Sequence, residues 1–283
     1  MILVTGATGT TGRHVVRELS AAGAPVRALV RRVERVAWPD GVEVAQGDLA
    51  DPESLAGALR GVEKLYLLAP FEPRLVDLER NAIDAALRAG VRHVVKHSGL
   101  GAAPDAPMAI GRWHGEAERY LERSGLPFTH VQPQSFMQNL LGSRQAIAAG
   151  VLAAPMGDAR LSLVDARDVA RVGARALLDP GHEGRRYVVT GPEALPYAEI
   201  AAQLQAVIGR PVRYADVSPA EARQGMLAAG VPEWAADAIN GLAAYHRAGA
   251  GAIVTSVVAE VGRQAPRTFA EFLRDHAAAF QGR

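Results

Sequence analysis

Three glycines at three-residue spacing, directly after the first apolar run, constrain the fold of this chain more than any other feature. The run Ile2–Val4 predicts a buried strand, and a helical pattern begins at His14. A strand, a glycine turn and a helix together present bare backbone N–H groups and the positive end of the helix to a pyrophosphate. The alternative is a glycine-rich turn in an α/β protein that binds no nucleotide. In this context we expect nucleotide binding, through Gly6, Thr8, Gly9, Thr10, Thr11 and Gly12.

Strands and helices alternate along the first half of the chain, which predicts a parallel sheet with helices on both faces. After the first strand, the predicted strands are Val26–Val30, Val42–Ala45, Lys64–Leu68, Val91–Lys96 and Phe128–Val131. The predicted helices run from Asp51, as the N-cap, to Leu59, over Leu75–Ala89, and from Gly111 or Arg112 to Arg123. The fold class that we expect is α/β, a Rossmann-type doubly wound parallel sheet.

The second half is less regular and mostly helical. The predicted helices are Phe136–Ala149, Asp165–Leu178, Pro196–Ile208, Pro219–Ala229, Pro232–Arg247 and Phe269–Phe280, with strands at Tyr187–Thr190 and Val212–Ala215 and a loop at 153–158. No long linker separates the halves. We therefore expect a nucleotide-binding domain over residues 1–153 and a smaller substrate-binding region over residues 154–283, with elements that return to the sheet.

Composition excludes several classes of function. The 283 residues contain no cysteine, which excludes disulfides, thiolate nucleophiles and cysteine-bound zinc. The net charge of +1 gives no global field that would attract nucleic acid or an anionic membrane. Neither a signal peptide nor a membrane-spanning run is recognisable. We expect a cytoplasmic monomer or homodimer without nucleic-acid or membrane partners.

Two acidic residues at the start of one predicted helix have a spacing that resembles a metal pair. They are Asp165 and Asp168. Carboxylates in the first turn of a helix more often cap its N–H groups and pair with its dipole. We therefore interpret Asp165 as an N-cap and expect no metal site.

The end of the second predicted strand indicates the choice of cofactor. NAD-binding folds place an Asp or Glu about 20 residues past the glycines to hold the ribose hydroxyls. This chain has Val30-Arg31-Arg32 there, and a guanidinium suits the 2′-phosphate of NADP through its charge and its bidentate geometry. NADP is therefore favoured over NAD. The alternative is that Arg31 and Arg32 are both solvated surface residues.

Ligands of doubly wound sheets lie beyond the carboxyl ends of the strands. In this sequence those ends carry Asp48, Leu49, Ala69, Pro70, Ser98 and Pro133, which complete the expected cofactor site. Asp48 has two interpretations: an acceptor for the adenine amino group, or a cap for the next helix.

Further motifs are spread over nearly the whole chain. They are Val30-Arg31, Gly47-Asp48, His97-Ser98, Trp113-His114 with Glu118, Gln132-Pro133, and the stretches 124–129, 136–139, 165–170, 190–193, 209–212 and 262–269. With the glycine triplet, they resemble the NmrA-like atypical short-chain dehydrogenases/reductases. That family includes NAD(P)H-dependent quinone reductases, triphenylmethane-dye and azo reductases, and redox-sensing regulators. One departure is Gln132-Pro133, where the family commonly has Arg-Pro, so a contact made by that arginine is lost.

The resemblance implies a catalytic site between Ser98 and His114. Ser98 follows the fifth strand, and His114 lies in the first turn of the next helix, where its imidazole is suited to donate a proton near neutral pH. Glu118, one turn later, would orient the ring and raise its pKa. The alternative for His114 is a structural polar residue. We interpret Lys96 and Tyr120 as structural.

Three residues after the sixth strand are expected to line the substrate cleft. They are Phe136, Met137 and Asn139, of which Phe136 and Met137 would offer an apolar wall to a flat aromatic acceptor. The alternative is ordinary core packing.

The resemblance leaves two main functions open, and a tailoring enzyme for one secondary metabolite as a weaker third. One is an NADPH-dependent reductase that transfers hydride to a small quinone-like or other conjugated aromatic acceptor. Ordinary short-chain dehydrogenases use a Tyr-x-x-x-Lys pair, but neither Lys64 nor Lys96, the only lysines, follows a tyrosine at that spacing. Reduction of a conjugated acceptor does not need this proton-transfer pair, because the reduced product is a stabilised anion. The other function is a non-catalytic NADP(H)-binding redox sensor of the NmrA type.

Overall fold

The computed structural model describes residues 1–33 and 37–281. The strands are β1 Ile2–Val4, β2 Val26–Val30, β3 Glu43–Gln46, β4 Lys64–Leu67, β5 His93–His97, β6 Phe128–Pro133, β7 Val151–Ala154, β8 Arg160–Leu161, β9 Arg185–Val189, β10 Leu195–Pro196 and β11 Arg213–Asp216. The helices are α1 Gly12–Ala21, α2 Pro52–Ala58, α3 Leu75–Arg88, α4 Ala109–Arg123, α5 Arg144–Ala148, α6 Ala166–Leu178, α7 Tyr197–Ile208, α8 Pro219–Ala228, α9 Glu233–Arg247, α10 Val257–Glu260, α11 Phe269–Asp275 and α12 Ala277–Phe280. Short 3₁₀ helices cover Met137–Ser143 and Ala250–Ala252.

A seven-stranded sheet lies at the centre, in the order β3-β2-β1-β4-β5-β6-β9. All of its neighbouring strands are parallel. Ile2 of β1 lies opposite Val26 on one side and opposite Lys64 on the other. Because the chain order reverses between β1 and β4, a crevice opens there at the carboxyl ends of the strands. The predicted α/β fold, a Rossmann-type doubly wound sheet, is confirmed.

Both faces of the sheet are covered by helices, which explains why its strands are apolar on both sides. Successive side chains of a strand point to opposite faces. In β1, Ile2 and Val4 pack with residues of α1 and α6, whereas Leu3 packs with residues of α2, α3 and α4. A strand of three residues is therefore anchored in both layers, which fixes the start of the glycine turn.

The C-terminal region contains two small sheets, in which β7 pairs with β11 and β8 pairs with β10. A third core cluster lies between these sheets and helices α7, α11 and α12. From the second half of the chain, β9 pairs with β6 in the main sheet and α6 packs in the core beside it. The predicted boundary between residues 153 and 154 falls within β7. No helix within the described part of the chain is both long and apolar enough to cross a bilayer.

Three predictions for this region were wrong. The predicted helix Phe136–Ala149 is a 3₁₀ helix followed by α5, because Gly142 and Ser143 in its middle are poor helix formers. The predicted loop at 153–158 begins inside β7, whose partner β11 lies much later in the chain. The predicted helix Phe269–Phe280 is interrupted at His276, between α11 and α12.

Candidate functional site

The crevice between β1 and β4 is a groove of about 480 Å³. Its walls come from residues at and beyond the carboxyl ends of β1, β2, β3 and β4. The groove brings together eight residues of the predicted cofactor site: Gly6, Thr8, Gly9, Arg31, Asp48, Leu49, Ala69 and Pro70.

The glycine turn is closed on itself by backbone contacts. Gly6 has a φ of +59°, which favours glycine, and its carbonyl oxygen accepts a hydrogen bond of 2.9 Å from the N–H of Gly9. A Cβ at Gly12 would lie 2.1 Å from the same oxygen. The turn therefore requires glycine at positions 6 and 12, and it holds the start of α1 against the end of β1.

Thr5 ties this turn to the neighbouring strand. Its hydroxyl accepts a hydrogen bond of 2.8 Å from the N–H of Leu68 and donates one of 2.9 Å to the carbonyl oxygen of Leu68. Two walls of the groove are thereby held at a fixed separation. Sequence reasoning missed Thr5, although a buried threonine at the end of an apolar strand is a recognisable signal.

The other predicted phosphate-binding residues of the glycine turn are not among the residues that line the groove. Thr10 is exposed before α1, and Thr11 is buried at the N-cap position of that helix without a side-chain cap. Arg31 lines the groove, whereas Arg32 is exposed and outside its lining. Of the two arginines, Arg31 is thus the one placed to reach a ligand in the groove.

Asp48 stands at the groove with its carboxylate turned toward the local backbone. Its Oδ1 accepts a hydrogen bond of 2.9 Å from the N–H of Ala50. The cap of α2 is Asp51, as predicted, because its carboxylate accepts from the N–H of Glu53. The alternative interpretation of Asp48 as the helix cap is therefore wrong.

Ser98 belongs to a buried hydrogen-bond network beyond β5. Its hydroxyl donates to Glu118, which also accepts from the Gln132 amide at 2.9 Å and from the Arg186 guanidinium at 2.8 Å. Ser98 is 2% exposed. The direct catalytic role predicted for Ser98 is not supported, because its proton is engaged by a buried carboxylate. The guanidinium that contacts Glu118 beside Gln132 thus comes from Arg186 of β9.

His114 has a different partner from the one expected. Its Nδ1 lies 3.2 Å from Nζ of Lys96, and Lys96 forms an ion pair of 3.0 Å with Glu79 of α3. The predicted contact between Glu118 and the His114 ring is wrong, since Glu118 faces Ser98, Gln132 and Arg186 instead.

The predicted rise in the pKa of His114 is also wrong. Burial, together with the positive charge of Lys96, lowers that pKa well below its ordinary value. Burial raises the pKa of Glu79 to about 7, although the nearby ammonium of Lys96 opposes this shift. The imidazole at this site is therefore neutral near pH 7.

The residues predicted beyond β6 have different environments. Pro133 is buried at the end of β6 and accepts a hydrogen bond of 2.9 Å from the N–H of Leu100. Phe136 is half-buried, with its ring 6.0 Å from that of His97, and Asn139 is exposed. Met137 is 1% exposed and belongs to the core of the C-terminal region. The expectation that Met137 forms a cleft wall is wrong, because its side chain is used in packing.

The acidic pair at α6 has structural partners. Asp165 caps the helix by accepting from the N–H of Arg167 at 2.8 Å, as predicted. Asp168 accepts from the N–H of Arg267 at 2.7 Å and pairs with its guanidinium. Glu118, Glu122 and His130 have ligand atoms within 4.8 Å of one another, and the Arg186 guanidinium forms ion pairs with both carboxylates.

A comparison with protein families decides the classification of this chain. A model of the NmrA-like family matches residues 1–273. The chain belongs to the NmrA-like family. It is 47% identical to an NAD(P)H azoreductase from Xenophilus azovorans, and the match covers 99% of both chains. It is 45% identical to a (4-alkanoyl-5-oxo-2,5-dihydrofuran-3-yl)methyl phosphate reductase from Streptomyces griseus, again over 99% of both chains.

A solved structure supports the same classification. The NADPH-dependent quinone oxidoreductase of Escherichia coli, crystallised with NADPH, superimposes with a TM-score of 0.88 at 29% sequence identity. The match covers 97% of this chain and 99% of the other. The NmrA-like fold thus extends over both the groove and the C-terminal region.

Sequence reasoning overlooked Glu79 and took Lys96 as structural. Both are charged residues within apolar patterns: Lys96 in β5, and Glu79 on the buried face of α3. Because an isolated buried charge is very costly, two opposite charges at buried positions of neighbouring elements indicate a pair. That signal is present in the sequence.

Proposed function

We propose that this NmrA-like protein is an NADPH-dependent oxidoreductase that reduces small conjugated acceptors, of the quinone-like or other aromatic kind. The observation that carries the proposal is a neutral imidazole, His114 of α4, which packs against Gly99 just past the carboxyl end of β5. The groove lies at the carboxyl ends of β1 to β4 of the same sheet. The names of the relatives, an azoreductase, a quinone oxidoreductase and a furanone reductase, support reduction of conjugated systems.

The groove fits a dinucleotide phosphate. Gly12 packs so closely on Gly6 that no Cβ fits between them. The N–H of Gly9 is engaged within the turn, and the other N–H groups at the start of α1 would bind the pyrophosphate. Arg31 would hold a 2′-phosphate, and Asp48, Leu49, Ala69 and Pro70 would line the adenosine side. When bound, NADPH supplies the hydride.

The proton for the reduced acceptor would come from His114. As hydride enters a conjugated acceptor, negative charge develops on its oxygen or nitrogen, and a nearby N–H donor stabilises that charge. Nδ1 of His114 faces Lys96, so Nε2 is the atom that can serve the acceptor. Ser98 would support the site indirectly, by holding Glu118.

A cluster of three aromatic side chains supports the proposal that the acceptor is aromatic. Phe71, beside the groove residues Pro70 and Glu72, lies 5.9 Å from the ring of Trp113, the neighbour of His114 in sequence, and 5.3 Å from the ring of Trp234 in α9. Flat aromatic molecules pack favourably on such rings. The C-terminal region would thus close the acceptor pocket through α9, with Phe136 and Asn139 near it.

The test is consumption of NADPH, followed at the nicotinamide absorbance band with a panel of quinones, azo dyes and enones. We expect turnover with at least one class, and a drop in kcat of about tenfold or more in His114→Gln, because a general acid typically contributes more than that. NADPH binding without consumption across the whole panel would contradict the proposal and favour the redox sensor.

A further inference from the structure

A fully buried ion pair lies behind the proposed proton donor. The side chains of Glu79 and Lys96 are both 0% exposed, and Oε2 lies 3.0 Å from Nζ. Such a pair adds little net stability, because desolvation of the two charges offsets their attraction. Stability alone therefore does not account for it, and its contacts point to another role.

Lys96 also reaches the imidazole of the next helix. Its Nζ lies 3.2 Å from Nδ1 of His114 and 3.4 Å from the carbonyl oxygen of His97. An ammonium group can only donate hydrogen bonds. Nδ1 of His114 must then accept, so the proton of the neutral ring is on Nε2.

The other edge of the His114 ring lies against the backbone at the end of β5. A Cβ at Gly99 would be 3.2 Å from Cδ2 and 3.7 Å from Nε2 of His114. The absence of a side chain at Gly99 leaves room for this edge of the ring. Nε2 is thus held at the carboxyl end of the sheet, where ligands of this fold bind.

We propose that Lys96, held by Glu79, is a positioning residue that fixes His114 with its proton on Nε2 and returns a proton to Nδ1 when Nε2 gives its own away. The inference rests on the proposed reductase function. The acceptor gains a hydride with two electrons from the cofactor, and the Nε2–H bond breaks as its proton bonds to the heteroatom of the acceptor. One N–H bond of the Lys96 ammonium breaks as another forms on Nδ1. The imidazole stays neutral in this step. After product release, a proton from solvent bonds to Nε2 as the Nδ1 proton returns to the Lys96 amine, which restores the starting state.

The charges around this pair are consistent with the relay. His97 of β5 and His130 of β6 have pKa values of about 3, chiefly because of burial, so both are neutral near pH 7. Glu118 of α4 is already paired with Arg186. Lys96 is therefore the cation in contact with His114, and the carboxyl group of Glu79 faces it at 3.0 Å.

The first test needs only the protein without ligands. With ¹⁵N-labelled histidine, and His114→Gln to assign the signal, we expect the spectrum of neutral His114 to show the proton on Nε2 from pH 6 to 8. In Glu79→Gln/Lys96→Met, which removes both charges together, we expect a mixture of both tautomers and a higher pKa. A His114 ring with its proton on Nδ1 in the wild type would overturn the assignment, even if the double variant does not fold.

The second test measures turnover. In the double variant we expect kcat to fall about tenfold or more with little change in KM, because proton supply and not binding is impaired. The control is Lys64→Met, the other lysine, whose amine donates to the carbonyl oxygen of Leu177; its kcat should be unchanged. An unchanged kcat in the double variant would overturn the relay. If the wild-type protein reduces no acceptor, both the proposed function and the proton transfer from Lys96 to Nδ1 are wrong. The positioning role of Lys96 is then still decided by the ¹⁵N spectrum, which shows which ring nitrogen of His114 carries the proton.

Discussion

At the scale of single residues, Gly12 is a position that admits no side chain. A Cβ at this position would lie only 2.1 Å from the carbonyl oxygen of Gly6. The substitution Gly12→Ala must therefore push α1 away from the turn. We expect a loss of about 1–3 kcal/mol of stability from overpacking. We also expect NADPH binding, measured by calorimetry, to weaken at least tenfold. The control is Gly225→Ala in α8, where a methyl meets open space and should be neutral or slightly stabilising.

The two adjacent arginines offer a matched pair of substitutions. Arg31 lines the groove and Arg32 does not. We expect Arg31→Ala to weaken NADPH binding about ten- to a hundredfold, since a hydrogen bond to a charged group contributes about 1.5–3 kcal/mol. NADH binding should change little, and Arg32→Ala should have a smaller effect on both. Equal weakening of NADPH and NADH by Arg31→Ala would contradict 2′-phosphate recognition.

Local and non-local residues of the site differ in how far the sequence predicts them. Gly6, Gly12 and Arg31 act through the chain segment that contains them, so spacing alone predicted their places. The partner of His114 did not follow from spacing, because Lys96 reaches it from another element and Glu79 joins from a third. Helical spacing favoured Glu118, but tertiary contacts direct that carboxylate elsewhere.

At the scale of elements, α9 carries the aromatic contact between the C-terminal region and the groove. Trp234 in this helix lies 5.3 Å from Phe71 and 6.3 Å from Trp113. We expect Trp234→Ala to raise KM for aromatic acceptors several-fold, because stacking surface is lost, and to leave NADPH affinity unchanged. The control is Ile239→Ala, an exposed residue of the same helix. A KM unchanged in Trp234→Ala would remove α9 from the acceptor site.

Elements were predictable where the local pattern decides them. Asp51 and Asp165 mark helix starts through their own side chains, and both predictions are confirmed. The strand β7 was not predictable, because its formation depends on β11, far along the chain. The helix predicted over Phe136–Ala149 failed because apolar periodicity does not distinguish a 3₁₀ helix from an α-helix when glycine and serine weaken its middle.

At the scale of the whole molecule, histidines whose pKa is lowered by burial make stability depend on pH, His114 among them. Burial lowers the pKa of His93 and His246 to about 4, and that of His97 and His130 to about 3, from an ordinary 6.5. At pH values between the lowered pKa and 6.5, each of these histidines binds a proton in the unfolded chain but not in the folded chain. Their contribution to stability is therefore complete above pH 6.5 and is lost as the pH falls to about 4 for His93 and His246 and to about 3 for His97 and His130.

Glu79 acts in the opposite direction. Its pKa rises from 4.5 to about 7 on folding, so the folded chain holds a proton more tightly in that range, and its contribution falls as the pH rises through it. Four histidines outweigh one carboxyl group. We therefore expect urea unfolding to give a smaller free energy at pH 5 than at pH 7, each group contributing at most about 1.4 kcal/mol per pH unit. A free energy that is flat or rises on acidification would contradict this.

One histidine allows the pH dependence of stability to be tested without changing the groove. His246 in α9 is 1% exposed, and neither of its ring nitrogens has a hydrogen-bond partner among the described residues. His246→Leu removes both a buried polar ring and a group that is protonated only on unfolding. We expect this variant to be as stable as the wild type or more stable at pH 7, and to lose less stability between pH 7 and 5, by about one proton's share of the slope. The same slope in both proteins would mean that His246 does not titrate on unfolding, and the acid sensitivity would then have to come from the other buried histidines.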